Sequence, residues 1–173
     1  MIYVLTYPEF DPRTARAIDA FRAAREPERF RMVPPHVTLV FGSRLEHADA
    51  IIALCDRASK EMADLPITFD RVELAHDPVE GCYKLFLLCD EGKDALIALH
   101  QQLHDGPHRT GLRQDIPYRP HMTVAANASA GRIEELEANE LGPFPVSGLI
   151  RSLDVVRSAD GKVASLRRFP FSG

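Results

Sequence analysis

Pro35-His36-Val37-Thr38-Leu39 and Pro120-His121-Met122-Thr123-Val124 are two copies of one pattern: a proline, a histidine and, two residues on, a threonine, each opening an apolar run. Side chains alternate between the faces of a β-strand, so His36 shares a face with Thr38, and His121 with Thr123. Val37, Leu39 and Phe41, like Met122 and Val124, form the opposite face, which a helix or a second layer must cover. Each run reads as a half-buried strand whose open face carries chemistry. With 7 histidines and threonines at 6, 14, 38, 68, 110 and 123, random order supplies about 0.24 His-x-Thr matches. Two matches, each behind a proline and ahead of a β-forming residue, point to one site assembled from two halves.

Outward from these runs the chain alternates strands and helices. Ile2 to Tyr7 reads as a strand. Asp11-Pro12 then supplies an N-cap and first helical position for a helix to about Arg25, burying Ala17, Ile18, Phe21 and Ala24. Glu26-Pro27 ends it, and a polar, arginine-bearing loop leads to Pro34-Pro35. A second helix, His47 to Met62, repeats apolar residues at Ile51, Leu54, Cys55, Ala58 and Met62. Strands follow at Ile67 to Leu74 and Cys82 to Cys89, around a turn with Asp77-Pro78 and Gly81. A third helix, Lys93 to His104, buries Leu96, Leu99 and Leu103 before Gly106-Pro107. The stretch from Gly106 to Pro120 is long for a plain connection. Beyond the second motif we expect a short helix at Arg132 to Ala138 and strands at Pro145 to Arg151, Leu153 to Arg157 and Lys162 to Phe169. Asp160-Gly161 would turn the last hairpin. Pro66-Ile67-Thr68 and Pro145-Val146-Ser147, with Leu74 and Leu153 each eight residues beyond the proline, extend the repeat past the motifs. Helices with hairpins predict an α+β fold, with the two His/Thr strands as pseudo-symmetric partners facing one groove.

A composition 45% hydrophobic and 27% charged, with no apolar stretch near the length of a membrane span, predicts a globular protein with no membrane partner. The opening Met1-Ile2-Tyr3-Val4-Leu5-Thr6 has no basic leader, so cytoplasmic residence is expected. Cys55, Cys82 and Cys89 match neither a disulfide framework nor a zinc ribbon and are expected as buried free thiols. The net charge of −4 argues against coating a long polyphosphate. Arginines nonetheless gather before each motif, Arg25, Arg29 and Arg31 and then Arg109, Arg113 and Arg119, which suits a small anion or a nucleic-acid end. Arg119, two residues before His121, falls on the same face if the extended conformation reaches back through Pro120.

No glycine-rich phosphate loop is present, so no ATP or dinucleotide cofactor is expected. His100, His104 and His108 are spaced by four, but Gly106-Pro107 interrupts the helix and no carboxylate stands at the metalloprotease position, so no metal is expected. They read as polar residues flanking a leucine stripe. No nucleophile-elbow pattern surrounds a serine.

Imidazole is half protonated near neutral pH. Two of them on one groove can divide labour, one taking a proton from a nucleophile and one giving a proton to a leaving group. Phosphodiester cleavage needs both transfers, and threonine hydroxyls can donate to the phosphate oxygens. The paired His-x-Thr strands, 85 residues apart with Tyr118-Arg119-Pro120 before the second, resemble the two-histidine (2H) phosphoesterases. That superfamily includes 2′-5′ RNA ligase-like proteins and cyclic phosphodiesterases. The resemblance spans most of the chain, including the closing run Leu153-Asp154-Val155-Val156-Arg157-Ser158.

It implies one bilobal domain over residues 1–173, with two pseudo-symmetric antiparallel-sheet lobes, helices outside and a central groove. It also implies metal-independent chemistry on a nucleotide with a cyclic phosphate or on an RNA terminus, without an obligatory protein partner. Carried over by position, His36 and His121 are the catalytic pair, Thr38 and Thr123 contact phosphate, and Arg119 and Tyr118 contact substrate. Phe41, Tyr83, Tyr118 and Tyr3 are candidates to stack a base, with Phe41 on the opposite strand face from His36. The competing reading is a non-catalytic module that binds an RNA end or nucleotide.

Overall fold

The computed structural model describes residues 1–77, 80–112, 117–131, 142, 144–159 and 162–172. In chain order its elements are β1 (Ile2–Thr6), α1 (Pro12–Arg25), α2 (Pro27–Met32), β2 (Val37–Ser43), α3 (Ala48–Glu61), β3 (Leu65–Asp77), β4 (Cys82–Cys89), α4 (Lys93–Leu103), β5 (His121–Asn127), β6 (Val146–Ile150), β7 (Ser152–Ala159) and β8 (Lys162–Pro170). Two 3₁₀ turns, Leu45–His47 and Pro107–Gly111, complete the described set. The fold is α+β, as the sequence predicts. All eight strands lie in one antiparallel sheet of order β6-β3-β4-β5-β2-β1-β7-β8.

That order falls into two four-stranded halves, β5-β4-β3-β6 and β2-β1-β7-β8, which meet where the motif strands β2 and β5 touch. The seam is a single register pair, Val37 with Met122. The units β1-α1-β2 and β4-α4-β5 are equivalent and exchange partners: α1 packs on β5 and α4 on β2. β3 follows the first unit but pairs with β4, and β7 follows the second but pairs with β1. The lead of β3 pairs with β6, Ile67 opposite Gly148 and Phe69 opposite Val146. Only Arg151 separates β6 from β7, and Glu9, beyond β1, bridges to Leu149 with bonds of 2.8 and 2.9 Å, so β6 at one end of the sheet is tied to the other half.

Val37, Leu39, Met122 and Val124 are sealed from solvent in one core with Ile18 and Phe21 of α1 and Leu96, Leu99 and Leu103 of α4. Burying each such side chain contributes about 1.5–3 kcal/mol, which pins every motif strand with its apolar face inward. In both strands the alternation then slips at the same place. Thr38 opposes Leu5 while Val40 opposes Val4, and Thr123 opposes Phe86 while Ala125 opposes Leu85. A β-bulge therefore places one extra residue after each motif threonine, and Leu39-Val40 and Val124-Ala125 are buried as consecutive pairs.

α1 is capped as expected, Asp11 accepting from the amides of Arg13 and Thr14 at 2.9 and 3.2 Å. Its inward face keeps Ile18 and Phe21 of the expected stripe and adds Thr14 and Arg22, whereas Ala17 is half-buried and Ala24 exposed. Where a polar loop is expected, Pro27–Met32 forms the short helix α2. Proline at its first position, Glu28 in its first turn and Arg29 and Arg31 in its last all suit the helix dipole. The three cysteines are free, but Cys82 is only partly buried. No described helix is long and apolar enough to cross a membrane. The expected helix at 132–138 and the Asp160-Gly161 turn lie outside the described residues; Ala159 and Lys162 pair across that turn.

Candidate active site

In an antiparallel ladder, residues opposite each other point to the same face. One step from the Val37–Met122 pair puts His36 opposite Thr123 and Thr38 opposite His121. Val37 and Met122 are both 0% exposed, so all four polar side chains project from the other face, where each is partly exposed. Each histidine has its own threonine two residues on and the other motif's threonine across the seam.

Both imidazoles are tethered alike. His36 Nδ1 lies 2.8 Å from the Pro34 carbonyl and His121 Nδ1 lies 2.7 Å from the Arg119 carbonyl. A carbonyl only accepts, so the proton sits on Nδ1 and Nε2 is left with its lone pair. The intervening prolines, Pro35 and Pro120, hold the residue before them extended, which fixes the direction of that carbonyl. The motif's proline is thus part of the tether. Burial lowers the pKa of His36 to about 4 and also lowers that of His121, with Arg22 pressing further on the first and Arg119 and Lys84 on the second. Tyr7 meets the His36 ring edge-on at 6.4 Å, and Phe86 covers the His121 ring at 4.0 Å.

The leads into the motifs are clamped. Arg22, 2% exposed, pairs with Glu26 at 2.5 Å and donates through Nη2 to the Val33 carbonyl at 3.0 Å. Where β2 parts from β5, its carbonyls are taken by side chains: Tyr118 Oη donates to Thr38 at 2.8 Å and His100 Nδ1 to Leu39 at 2.7 Å. The two rings stack at 3.8 Å, 8° from parallel. Tyr118, read from sequence as a substrate contact, is here part of the wedge between the motif strands. Arg119 is held by both oxygens of Glu73, at 2.8 and 2.7 Å. Glu73 ends the cross-strand row Thr123-Phe86-Glu73. The matching row Thr38-Leu5-Asp154 carries a carboxylate at the same step, which Ser165 and Arg168 of β8 hold at 2.5 and 3.3 Å.

A family model for the 2′-5′ RNA ligase superfamily matches residues 10–162, which include both motifs. The chain belongs to that superfamily. Its fold is similar to TT0787 of Thermus thermophilus, at 19% identity over 100% of this chain and 99% of that one, TM-score 0.66. E. coli LigT complexed with 3′-AMP matches at 19% over 99% and 98%, TM-score 0.65. Kluyveromyces marxianus Usb1 matches at 10% over 98% and 97%, TM-score 0.61. A comparison with curated protein sequences finds no match.

In this superfamily member a pocket of about 320 Å³ opens beside His121, walled by Phe41, Phe86, Tyr118, His100 and His104. Phe41 corrects a sequence expectation: the Leu39-Val40 bulge reverses the alternation, so the ring leaves the core face, is 52% exposed and lines the pocket. Tyr83 instead packs on His76 at 4.8 Å, and Tyr3 packs beside Leu5 and Val33. Of the arginines before the motifs, Arg29 is partnered by Glu80, Arg109 by Asp105 and Arg119 by Glu73, while Arg113 lies outside the described residues. His100, His104 and His108 are 5%, 5% and 3% exposed, not surface polar groups. With His47 they form a column of rings at successive distances of 4.5, 5.5 and 6.1 Å. Among the described residues no group of three His, Cys, Asp or Glu side chains could hold a metal ion. Phe86 and Tyr7 escaped the sequence reading because only cross-strand pairing puts them beside the motifs.

Proposed function

We propose that the protein is a phosphodiesterase that opens a cyclic phosphate, such as a 2′,3′-cyclic nucleotide or RNA end, or cleaves a 2′-5′ linkage. The observation that carries this reading is the matched pair of Nδ1-tethered imidazoles, each offering Nε2 to the same face across from the other motif's threonine. A water oxygen bonds to phosphorus as one neutral imidazole takes its proton at Nε2. The P–O bond to the ribose oxygen breaks, and the other, protonated imidazole gives that oxygen its proton. Thr38 and Thr123 donate to the non-bridging oxygens as charge builds there. The relative with 3′-AMP bound, a phosphomonoester nucleotide, supports this substrate class. Arg119, at the pocket rim, and the Tyr118 ring, in its wall, are the further substrate contacts we assign. These side chains supply both proton transfers, so the reading requires no metal.

Incubating the protein with 2′,3′-cyclic nucleotides and with 2′-5′-linked dinucleotides in excess chelator, and following the phosphomonoester or free hydroxyl released, tests it. Turnover of one class is expected; no turnover of either overturns it.

The pH profile carries a second expectation. Both histidines titrate below 6.5 in the free protein, so kcat/KM should be bell-shaped with its maximum below pH 6.5 and fall on the alkaline side as the acid loses its proton. Bound phosphate favours the imidazolium, so the kcat profile should lie at higher pH. A kcat/KM that rises to an alkaline plateau contradicts the pairing. Burial also holds His100, His104 and His108 below their ordinary values. The unfolded chain therefore binds more protons below pH 6.5, and stability falls as pH drops through that range, so the acid limb must be read on protein shown to be folded.

A further inference from the structure

The pocket beside His121 has chemistry that phosphate transfer does not use. It shares His121 with the His-Thr quartet, and Phe86, which covers the His121 ring, lines it too. Its volume of about 320 Å³ falls within the roughly 300–1,000 Å³ of small-ligand sites. Three of its walls are aromatic, Phe86, Tyr118 and the half-exposed Phe41, as stacking on a flat heterocycle requires.

Two imidazoles make up its polar side. His100 donates through Nδ1 to the Leu39 carbonyl at 2.7 Å, and His104 through Nδ1 to the His100 carbonyl at 2.7 Å. With the proton fixed on Nδ1, each neutral ring has only a lone pair to offer at Nε2, and neither Nε2 has a hydrogen-bond partner among the described residues. Burial lowers both pKa values and so keeps the rings neutral. The pocket therefore has stacking faces and unmet hydrogen-bond acceptors.

Resting on the nucleotide phosphodiesterase reading above, we infer that this pocket is a nucleobase subsite that selects bases bearing an amino group at purine C6 or pyrimidine C4, adenine and cytosine over uracil, through the lone pairs of His100 and His104. Cytosine presents its 4-amino donor where uracil presents an oxygen acceptor. An acceptor facing an acceptor leaves both unpaired in a partly buried site.

Cytidine and uridine 2′,3′-cyclic phosphates differ at that position, so their kcat/KM ratio reads the inference directly. The native protein should prefer cytidine by about tenfold or more, and His104→Phe should bring the ratio close to one. Phe41→Ala, at a half-exposed position, should narrow the gap between the cytidine substrate and a base-less ribose 2,3-cyclic phosphate. A native ratio within twofold of one, or cytidine and base-less substrates turned over equally well, overturns the subsite even if His104→Phe does not fold. If neither nucleotide is turned over, the cyclic-phosphate form of the phosphodiesterase reading is what has failed. Equilibrium binding of 3′-CMP and 3′-UMP to the native protein then decides the subsite separately: preference for 3′-CMP supports it and equal binding overturns it.

Discussion

Replacing His36 or His121 with alanine should lower kcat on a 2′,3′-cyclic nucleotide by about 10²–10⁴-fold, the usual contribution of a positioned acid or base. Each ring offers one titrating nitrogen to the phosphate, because the other is committed to a carbonyl at 2.8 or 2.7 Å. Neither can substitute for the other: the two sit on separate strands joined by the single Val37–Met122 pair, and one reaction needs both transfers. The double variant should therefore be little worse than either single one, since removing one member already disables the pair. Because the alanines leave Thr38, Thr123 and the aromatic pocket in place, KM should change far less than kcat. Steady-state kinetics on variants with native-like melting curves checks this. A single variant that keeps more than half the native kcat would remove that histidine from the chemistry. A binding module would show the reverse split, with affinity altered and no turnover to lose.

The quartet was legible in the sequence because period two is a strong constraint when one face is sealed. Val37, Leu39, Met122 and Val124 had to go inward, so the histidines and threonines had to face out. What lay beyond was decided by tertiary partners. Nothing local distinguishes Leu39-Val40 from ordinary strand; the extra residue appears only when β2 is laid against β1, and it turns Phe41 toward the pocket. Phe86 stands 35 residues from His121 and reaches it through its pairing with Thr123. His100 and His104 flank a leucine stripe and would be surface groups on a helix with one covered side. α4, however, packs against both α3 and β2, so their side of the helix is covered too. Arg22 was missed for a related reason. Its spacing with Thr14, Ile18 and Phe21 is that of an inward face, but a charge in such a stripe is buried only if a counter-charge follows it in, and Glu26 is one turn on.

That pair sets the second large effect. Arg22→Ala should cost about 3–5 kcal/mol, because it strands the Glu26 carboxylate in a site where the side chains are 2% exposed. Burial already pushes the Glu26 carboxyl above its ordinary pKa, with Arg22 the foremost group pulling it back. Replacing both members, Arg22→Met with Glu26→Leu, removes the stranded charge and should restore most of the loss. At a urea dependence of about 1–3 kcal/mol per molar, the single variant should unfold at least 1 M earlier than native and the double variant close to native. Recovery of the fold should not bring full recovery of turnover. Arg22 Nη2 also holds the Val33 carbonyl at 3.0 Å, next to the Pro34 carbonyl that orients His36. Without that bond the lead can shift, and small displacements of a proton-transfer group cost up to about 10²-fold. The double variant should thus be stable, with kcat roughly tenfold or more below native and KM little changed, which makes Arg22 a positioning residue. A single variant with a native midpoint would show that the pair is not buried; a double variant with native kcat would show that its role ends at stability.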